Sequence, residues 1–155
     1  MIFREIAFGS EDYERECALR EDVLRSPLGL SLRDENLAAE KEQLHFGLFA
    51  PDGALVACAM AVPLSTSEVK IRQMAVVPSR QRLGLGSNIM GEVERTLVAR
   101  GFHRLVLDAR VSAVGFYKKL GYAVISDEFI AVTLPHVRMA KTIHDQPNPG
   151  ACAPR

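Results

Sequence analysis

Apolar and polar residues along this chain change period repeatedly, and each change marks a short element. Ile2 to Phe8 reads as a first strand ended by Gly9-Ser10. Ser10 offers an N-cap hydroxyl, and Glu11 and Asp12 follow in the turn where the helix dipole favours acids. Tyr13, Cys17 and Leu24, with Leu19 and Val23 beside them, make a helical stripe that stops near Ser26-Pro27. Leu28 to Glu42 is polar and weakly patterned, which predicts a loop with a short helix. Gln43 to Ala50 and Ala54 to Val62 are strand-like runs joined by Pro51-Asp52-Gly53, where Pro presets φ and Gly admits a positive φ. That pair predicts a hairpin.

Pro63 to Ser67 breaks the sheet pattern, and Val69 to Val77 resumes it. From Ser87 to Arg100 the period becomes helical, with Ile89 or Met90, Val93 and Leu97 on one face and Gly101 at the position that favours a left-handed stop. His103 to Ala109 predicts a buried strand. Ala113, Phe116, Tyr117 and Leu120 recur at helical spacing, so Ser112 to Leu120 predicts a short helix closed by Gly121. Tyr122 to Ile125 and His136 to Lys141 finish as strands around an irregular connection. Residues 1–145 read as one domain, and residues 146–155, with three prolines and a glycine, as a disordered tail.

Composition changes this picture little, but charge does. With 155 residues, 48% of them hydrophobic, the chain suits one self-sufficient core. Its net charge is zero, yet residues 1–42 carry eleven acids against six bases, while residues 70–120 carry ten bases against three acids. A small polyanionic ligand suits the basic half better than a nucleic acid suits the whole. Cys17, Cys58 and Cys152 are odd in number and widely separated, which argues against a zinc site or a disulfide framework and for a reducing cytoplasm. No apolar run approaches the roughly 20 residues that span a bilayer. No nucleic-acid partner, no membrane association and no metal are therefore expected.

The basic stretch centres on Arg80 to Ser87, Arg-Gln-Arg-Leu-Gly-Leu-Gly-Ser, set between an apolar strand and a helix. Two close glycines ahead of a helix N-terminus present backbone N–H groups and a positive dipole end, the surroundings a pyrophosphate requires. A P-loop would need a Lys after its second glycine, and none is present. A Rossmann-type nucleotide site has the right element order, with Asp108 placed for a ribose. Against it, Pro78 to Leu83 separate the strand from Gly84, and Ile89 occupies the third glycine position.

Gln81-Arg82-Leu83-Gly84-Leu85-Gly86, preceded by Met-Ala-Val-Val-Pro over Met74 to Pro78, resembles the Gln/Arg-x-x-Gly-x-Gly/Ala signature of the GNAT family of N-acetyltransferases. Ala113-Val-Gly-Phe-Tyr-Lys-Lys-Leu-Gly-Tyr122 resembles that family's second signature in the matching order. The resemblance is good over Val69 to Lys141 and holds only in outline over the first forty residues. The runs Arg25 to Leu30, Arg72 to Val76 and Pro135 to Lys141 look like a bacterial subgroup whose acceptor is generally unassigned.

The resemblance implies an α/β (α+β) three-layer αβα sandwich with a mixed, mostly antiparallel sheet of the acyl-CoA N-acyltransferase type. It implies direct transfer of an acetyl group from acetyl-CoA, as co-substrate, to a primary amine of a small molecule or a protein within a ternary complex. Cofactor binding falls to Met74, Ala75 and Val76, to Gln81, Arg82, Leu83, Gly84, Leu85, Gly86 and Ser87, and to Ala113 and Phe116. In the family, a bulge splays the strand carrying Met74 to Val76 from its neighbour, and pantetheine inserts there. Tyr117 resembles the tyrosine that protonates the departing thiolate. Arg72 and His136 are candidates for the acceptor side, and a homodimer is compatible with the family. Glu68 and Asp108 are base candidates by position only, and His45, in an apolar strand, reads as a core histidine. The competing classes are a non-catalytic acyl-CoA-binding or regulatory module and the Rossmann-type binder.

Overall fold

The computed structural model describes residues 1–143, and the tail read over 146–155 lies outside them. Eight strands form one sheet among the described residues: β1 (Ile2–Glu5), β2 (Leu44–Phe49), β3 (Leu55–Pro63), β4 (Glu68–Val76), β5 (Arg104–Arg110), β6 (Ala123–Val124), β7 (Phe129–Ala131) and β8 (Leu134–Thr142). Three α-helices accompany them among the described residues: α1 (Glu11–Arg20), α2 (Leu85–Ala99) and α3 (Val114–Lys119). The sheet order is β1-β2-β3-β4-β5-β8-β6, with β7 paired to β8. Every pairing is antiparallel except β4 with β5, which α2 joins by a crossover. The fold is thus α+β with a mixed, mostly antiparallel sheet.

Alternation along β3 builds the layers, because successive side chains leave opposite faces of a strand. Ala57, Ala59 and Ala61 share a core with Ile89, Met90, Val93 and Leu97 of α2, and Phe116, Tyr117 and Leu120 of the α3 segment pack on the same cluster. Cys58 faces the other way and packs with Leu19 of α1 and Ala75 of β4. Small residues on β3 let both helices approach the sheet closely.

α2 and α3 end alike. Gly101 and Gly121 hold φ near +99° and +98°, where a Cβ would be strained. In each case the glycine and the residue after it donate back to the helix's last turn: Gly101 to Val98 and Phe102 to Leu97, Gly121 to Lys118 and Tyr122 to Tyr117. The second stop fixes the turn that carries Tyr117.

The sheet's irregularity lies in β4. Its parallel pairing with β5 runs from Glu68 opposite Arg104 to Ile71 opposite Leu107 and stops. On the other edge, Cys58 pairs with Ala75 and Met60 with Arg72, so Ala59 of β3 faces both Gln73 and Met74. The extra residue is a bulge, with Gln73 at φ +56°. From Arg72 to Val76, β4 parts from Asp108 to Arg110, which stay paired to β8. A wedge opens between the two strands.

Elsewhere the elements differ from the sequence reading in detail. β1 stops at Glu5, and α1 gives way after Arg20 to a π-helical turn over Glu21–Arg25, then to 3-10 turns over Ser26–Leu28, Leu32–Asp34 and Leu37–Glu42. The irregular connection after Ile125 contains β7 and a two-residue hairpin turn, Val132-Thr133, with φ of +44° and +67°. No helix among the described residues is long and apolar enough to cross a membrane.

Candidate active site

The wedge divides into two cavities. The first, about 530 Å³, lies between the bulged end of β4, the start of α2 and α3. Gly84 caps α2 at φ +80°, and the first helical hydrogen bond runs from the Asn88 N–H to the Gly84 carbonyl at 3.0 Å. The N–H groups of Leu85, Gly86 and Ser87 therefore have no partner within the helix, at its positive dipole end, and these three residues line the cavity. Gly86 has a spatial reason to be glycine: a Cβ there would stand 3.1 Å from Cζ of Phe116, closer than ordinary contact. Gln81 ties the loop to β4 by donating from Nε2 to the Val76 carbonyl at 3.1 Å. All residues expected on the cofactor side line this cavity except Leu83, whose side chain is 69% exposed. Val23, from a segment outside both sequence motifs, and Lys119, from within the second, join the lining.

The second cavity, about 560 Å³, opens on the other side of the wedge. Leu24, Arg25 and Glu35 from the polar first half wall it, with Lys70 to Met74 of β4, Leu107 to Arg110 of β5, and Ala131, Val132 and His136 around the last hairpin. Arg72 and His136, the residues expected on the acceptor side, both line it. Met74, Ala113 and Tyr117 belong to both cavities and form the wall between them. Tyr117 packs edge-on against Phe116 and Tyr122, at centroid distances of 5.0 and 5.9 Å. Burial pushes its phenol up to about 12, and its hydroxyl makes no hydrogen bond among the described residues.

Residues 30–143 match the acetyltransferase (GNAT) domain family. The chain belongs to the GNAT acetyltransferases. That family comprises acetyl-CoA-dependent N-acetyltransferases, as the two motifs imply. Among relatives of this GNAT protein, the uncharacterized N-acetyltransferase YjcF of Bacillus subtilis is 29% identical over 137 residues, covering 88% of this chain and 96% of that one. The uncharacterized B. subtilis protein YyaT is 34% identical over 74 residues, 48% of this chain and 50% of its own length. A further B. subtilis relative is 34% identical over 87 residues, 59% of its length. In fold, this GNAT protein resembles Escherichia coli ElaA (TM-score 0.77, 17% identity, 90% of this chain and 98% of that one). It also resembles an aminoglycoside 6'-N-acetyltransferase solved with coenzyme A (TM-score 0.74, 20% identity, 96% and 100%).

The acids flagged by position in this GNAT chain are already engaged. Asp108 accepts from Arg138 at 2.8 and 3.2 Å and pairs with Lys70 at 2.9 Å. Burial acts to raise its carboxyl, but the hydrogen bonds from Arg138 and Lys70 outweigh it and hold it below the usual range. Such a group is a poor base at neutral pH. Glu68 sits at the opposite end of β4, paired with Arg104 at 2.9 Å, and does not line either cavity. His136 is buried. Its Nδ1 lies 2.8 Å from the Leu134 carbonyl, which can only accept, so Nδ1 donates there, while Nε2 makes no hydrogen bond among the described residues.

A buried polar network supports the bulge of this acetyltransferase, and the sequence singles out only its histidine and, as part of a helical stripe, Tyr13. Arg20, fully buried, donates to Glu16 at 2.8 Å, to Glu40 at 2.6 and 2.9 Å, and to Oε1 of Gln73 at 3.0 Å. His45 completes it between Glu16 and the Glu40 carbonyl, and Tyr13 donates to Glu40 at 2.7 Å. Ligand atoms of Glu16, Glu40 and His45 lie within 4.8 Å of one another, a metal-like spacing, but the Arg20 guanidinium donates to both carboxylates and supplies the positive charge itself. The Gln73 carbonyl also accepts from the Cys58 thiol at 3.7 Å. Gln73 thus keeps a conformation that L-residues rarely adopt because both its ends are held.

Proposed function

We propose that this GNAT protein transfers the acetyl group of acetyl-CoA directly to a primary amine in a ternary complex, across the wall formed by Met74, Ala113 and Tyr117. The observation that carries the reading is that two separate cavities meet there, one suited to a pyrophosphate-bearing thioester and one to an acceptor. Acetyl-CoA supplies the activated acetyl thioester. The free N–H groups of Leu85, Gly86 and Ser87 receive its pyrophosphate, and Phe116, packed against Gly86, walls the site. Backbone amides of Met74 to Val76, freed from β5 by the splay, hold the pantetheine arm and polarise the acetyl carbonyl. The amine arrives from the second cavity beside His136, whose Nε2 accepts a proton directly or through water. As the C–N bond forms and the C–S bond breaks, the Tyr117 hydroxyl gives its proton to the departing sulfur.

A covalent acetyl-enzyme has little support. Among the described residues, Cys58 is fully buried on the α1 side of the sheet, and burial pushes its thiol far up; Cys17 lines neither cavity of the wedge. Initial rates with both substrates varied test the order of events. Intersecting lines are expected. Parallel lines with acetylated protein by mass spectrometry refute direct transfer, and acetyl-CoA binding with no thiol release for any amine favours a binding module.

A further inference from the structure

Resting on that acetyltransferase reading, we propose that the acceptor is a small amine that also carries an oxyanion, a carboxylate or a phosphate, received by Arg110 and Arg25 in the second cavity. Four cationic side chains line that cavity, Arg25, Lys70, Arg72 and Arg110, against two carboxylates, Glu35 and Asp108. Both carboxylates are already engaged. Glu35 takes the Nε and one Nη of Arg25, while Asp108 is shared by Lys70 and by Arg138.

Arg110 and Arg72 are left over. Arg72 donates to the Gln43 amide oxygen at 3.0 Å, and no carboxylate lies within ion-pair distance of either guanidinium among the described residues. Among the described residues the Arg110 guanidinium makes one hydrogen bond, at 3.2 Å to the Leu24 carbonyl, and Arg25 donates to that same carbonyl at 3.1 Å. Two guanidiniums of like charge thus converge on a single neutral oxygen. Arg25 is 7% exposed, so water screens the pair poorly. Burial and the neighbouring Arg25 charge both push the Arg110 pKa down. Glu35 offsets Arg25, but Arg110 has no carboxylate of its own, and an oxyanion supplies one, its planar or tetrahedral oxygens matching the unused donors of a guanidinium.

The placement agrees with the chemistry at the wall. Arg110 is the direct cross-strand partner of His136, so an anion on Arg110 puts the rest of a short molecule beside the imidazole and Tyr117. Unpaired cations also disfavour a second positive charge, which lowers the pKa of an incoming ammonium and favours the neutral, nucleophilic amine. The same charges disfavour polycationic acceptors such as aminoglycosides and polyamines.

Matched amines test this: lysine against cadaverine, phosphoethanolamine against ethanolamine, and spermidine as a polycation. The anionic member of at least one pair is expected to show kcat/KM higher by about tenfold or more, and the pair with the larger ratio identifies carboxylate or phosphate. Arg110→Gln should collapse that ratio toward unity with the acetyl-CoA Kd unchanged, and Arg110→Lys should restore part of it. Cadaverine, ethanolamine or spermidine used as well as the anionic amines, or a ratio unchanged in Arg110→Gln, overturns the proposal. If acetyl-CoA binds but no amine releases thiol, the acetyltransferase reading fails instead. Glutarate and inorganic phosphate titrated into the CoA-saturated protein then decide the anion site: binding weakened in Arg110→Gln upholds it, and equal binding refutes it.

Discussion

Tyr117 combines two properties that a thiol-protonating group requires: it borders both cavities, and burial keeps its proton on well past neutrality, with a pKa of about 12. A phenol in that state donates at every working pH, so the tyrosine imposes no alkaline fall in rate below about pH 11. The acceptor amine, with a reference pKa of about 10, imposes a rise in kcat/KM toward alkaline pH instead. Tyr117→Phe preserves the packing on Phe116 and Tyr122 and removes only the hydroxyl. We expect kcat to fall on the order of 10²-fold, with acetyl-CoA affinity nearly unchanged, in pre-steady-state assays where chemistry limits the rate. An unaltered chemical step would return Tyr117 to a packing role. His136 is constrained differently, since its Nδ1 proton is committed to the Leu134 carbonyl and only Nε2 remains for chemistry.

At the scale of elements, the start of α2 is the anion-binding device, and it can be closed by one side chain. Gly86→Asp places a Cβ 3.1 Å from Phe116 and a carboxylate among N–H groups meant for a pyrophosphate. The helix stop at Gly101 and the sheet pairings do not involve residue 86, so circular dichroism should be unchanged while acetyl-CoA binding by calorimetry falls by about 10² or more. This helix is legible in the sequence because glycines mark both its ends and the apolar face of Ile89, Val93 and Leu97 has one period. The last hairpin is not: Val132 and Thr133 occupy positions that ordinarily demand Asn or Gly, so no local turn chemistry announces β7. The bulge is hidden for a similar reason. Gln73 has no intrinsic bias to positive φ and is held there by Arg20, 53 residues earlier in the chain. The acceptor cavity draws Leu24, Arg25 and Glu35 from a weakly periodic stretch whose placement depends on tertiary contacts. The resemblance to the family covers the cofactor side and thins out over that same stretch.

Across the whole molecule, the buried network couples α1, the turn before β2, β2 itself and the bulge, so protons there are linked to folding. Glu40 is buried, which acts to raise its carboxyl, but hydrogen bonds from Arg20 and Tyr13 and the Arg20 charge outweigh burial and hold it below its ordinary value. A depressed carboxyl contributes stability that is complete above its unfolded pKa of about 4.3 and is lost as pH falls through the folded value. His45 runs the other way. Burial alone would lower it, but the hydrogen bonds to Glu16 and to the Glu40 carbonyl, with both carboxylate charges, raise the imidazole. A raised histidine contributes stability that is complete below about pH 6.5 and is lost as pH rises through its folded value. The other neighbours of the ring are Tyr13 and Phe8, at centroid distances of 5.2 and 6.4 Å, and neither titrates in this range. From these two groups the melting temperature should peak between about pH 4.3 and 6.5 and decline on both sides. Replacing His45 by Gln keeps a polar side chain in the site and removes only the group that titrates near neutrality. Calorimetric melts of that variant should start from a lower Tm, lose the alkaline decline between pH values of about 6.5 and 9, and retain the acid one. A parallel alkaline slope in parent and variant would place the relevant proton elsewhere. The decline also sets the network against the chemistry it supports: raising pH deprotonates the amine but withdraws the positive charge of His45 beside the carboxylates of Glu16 and Glu40, the partners of the arginine that holds Gln73 and hence the wedge.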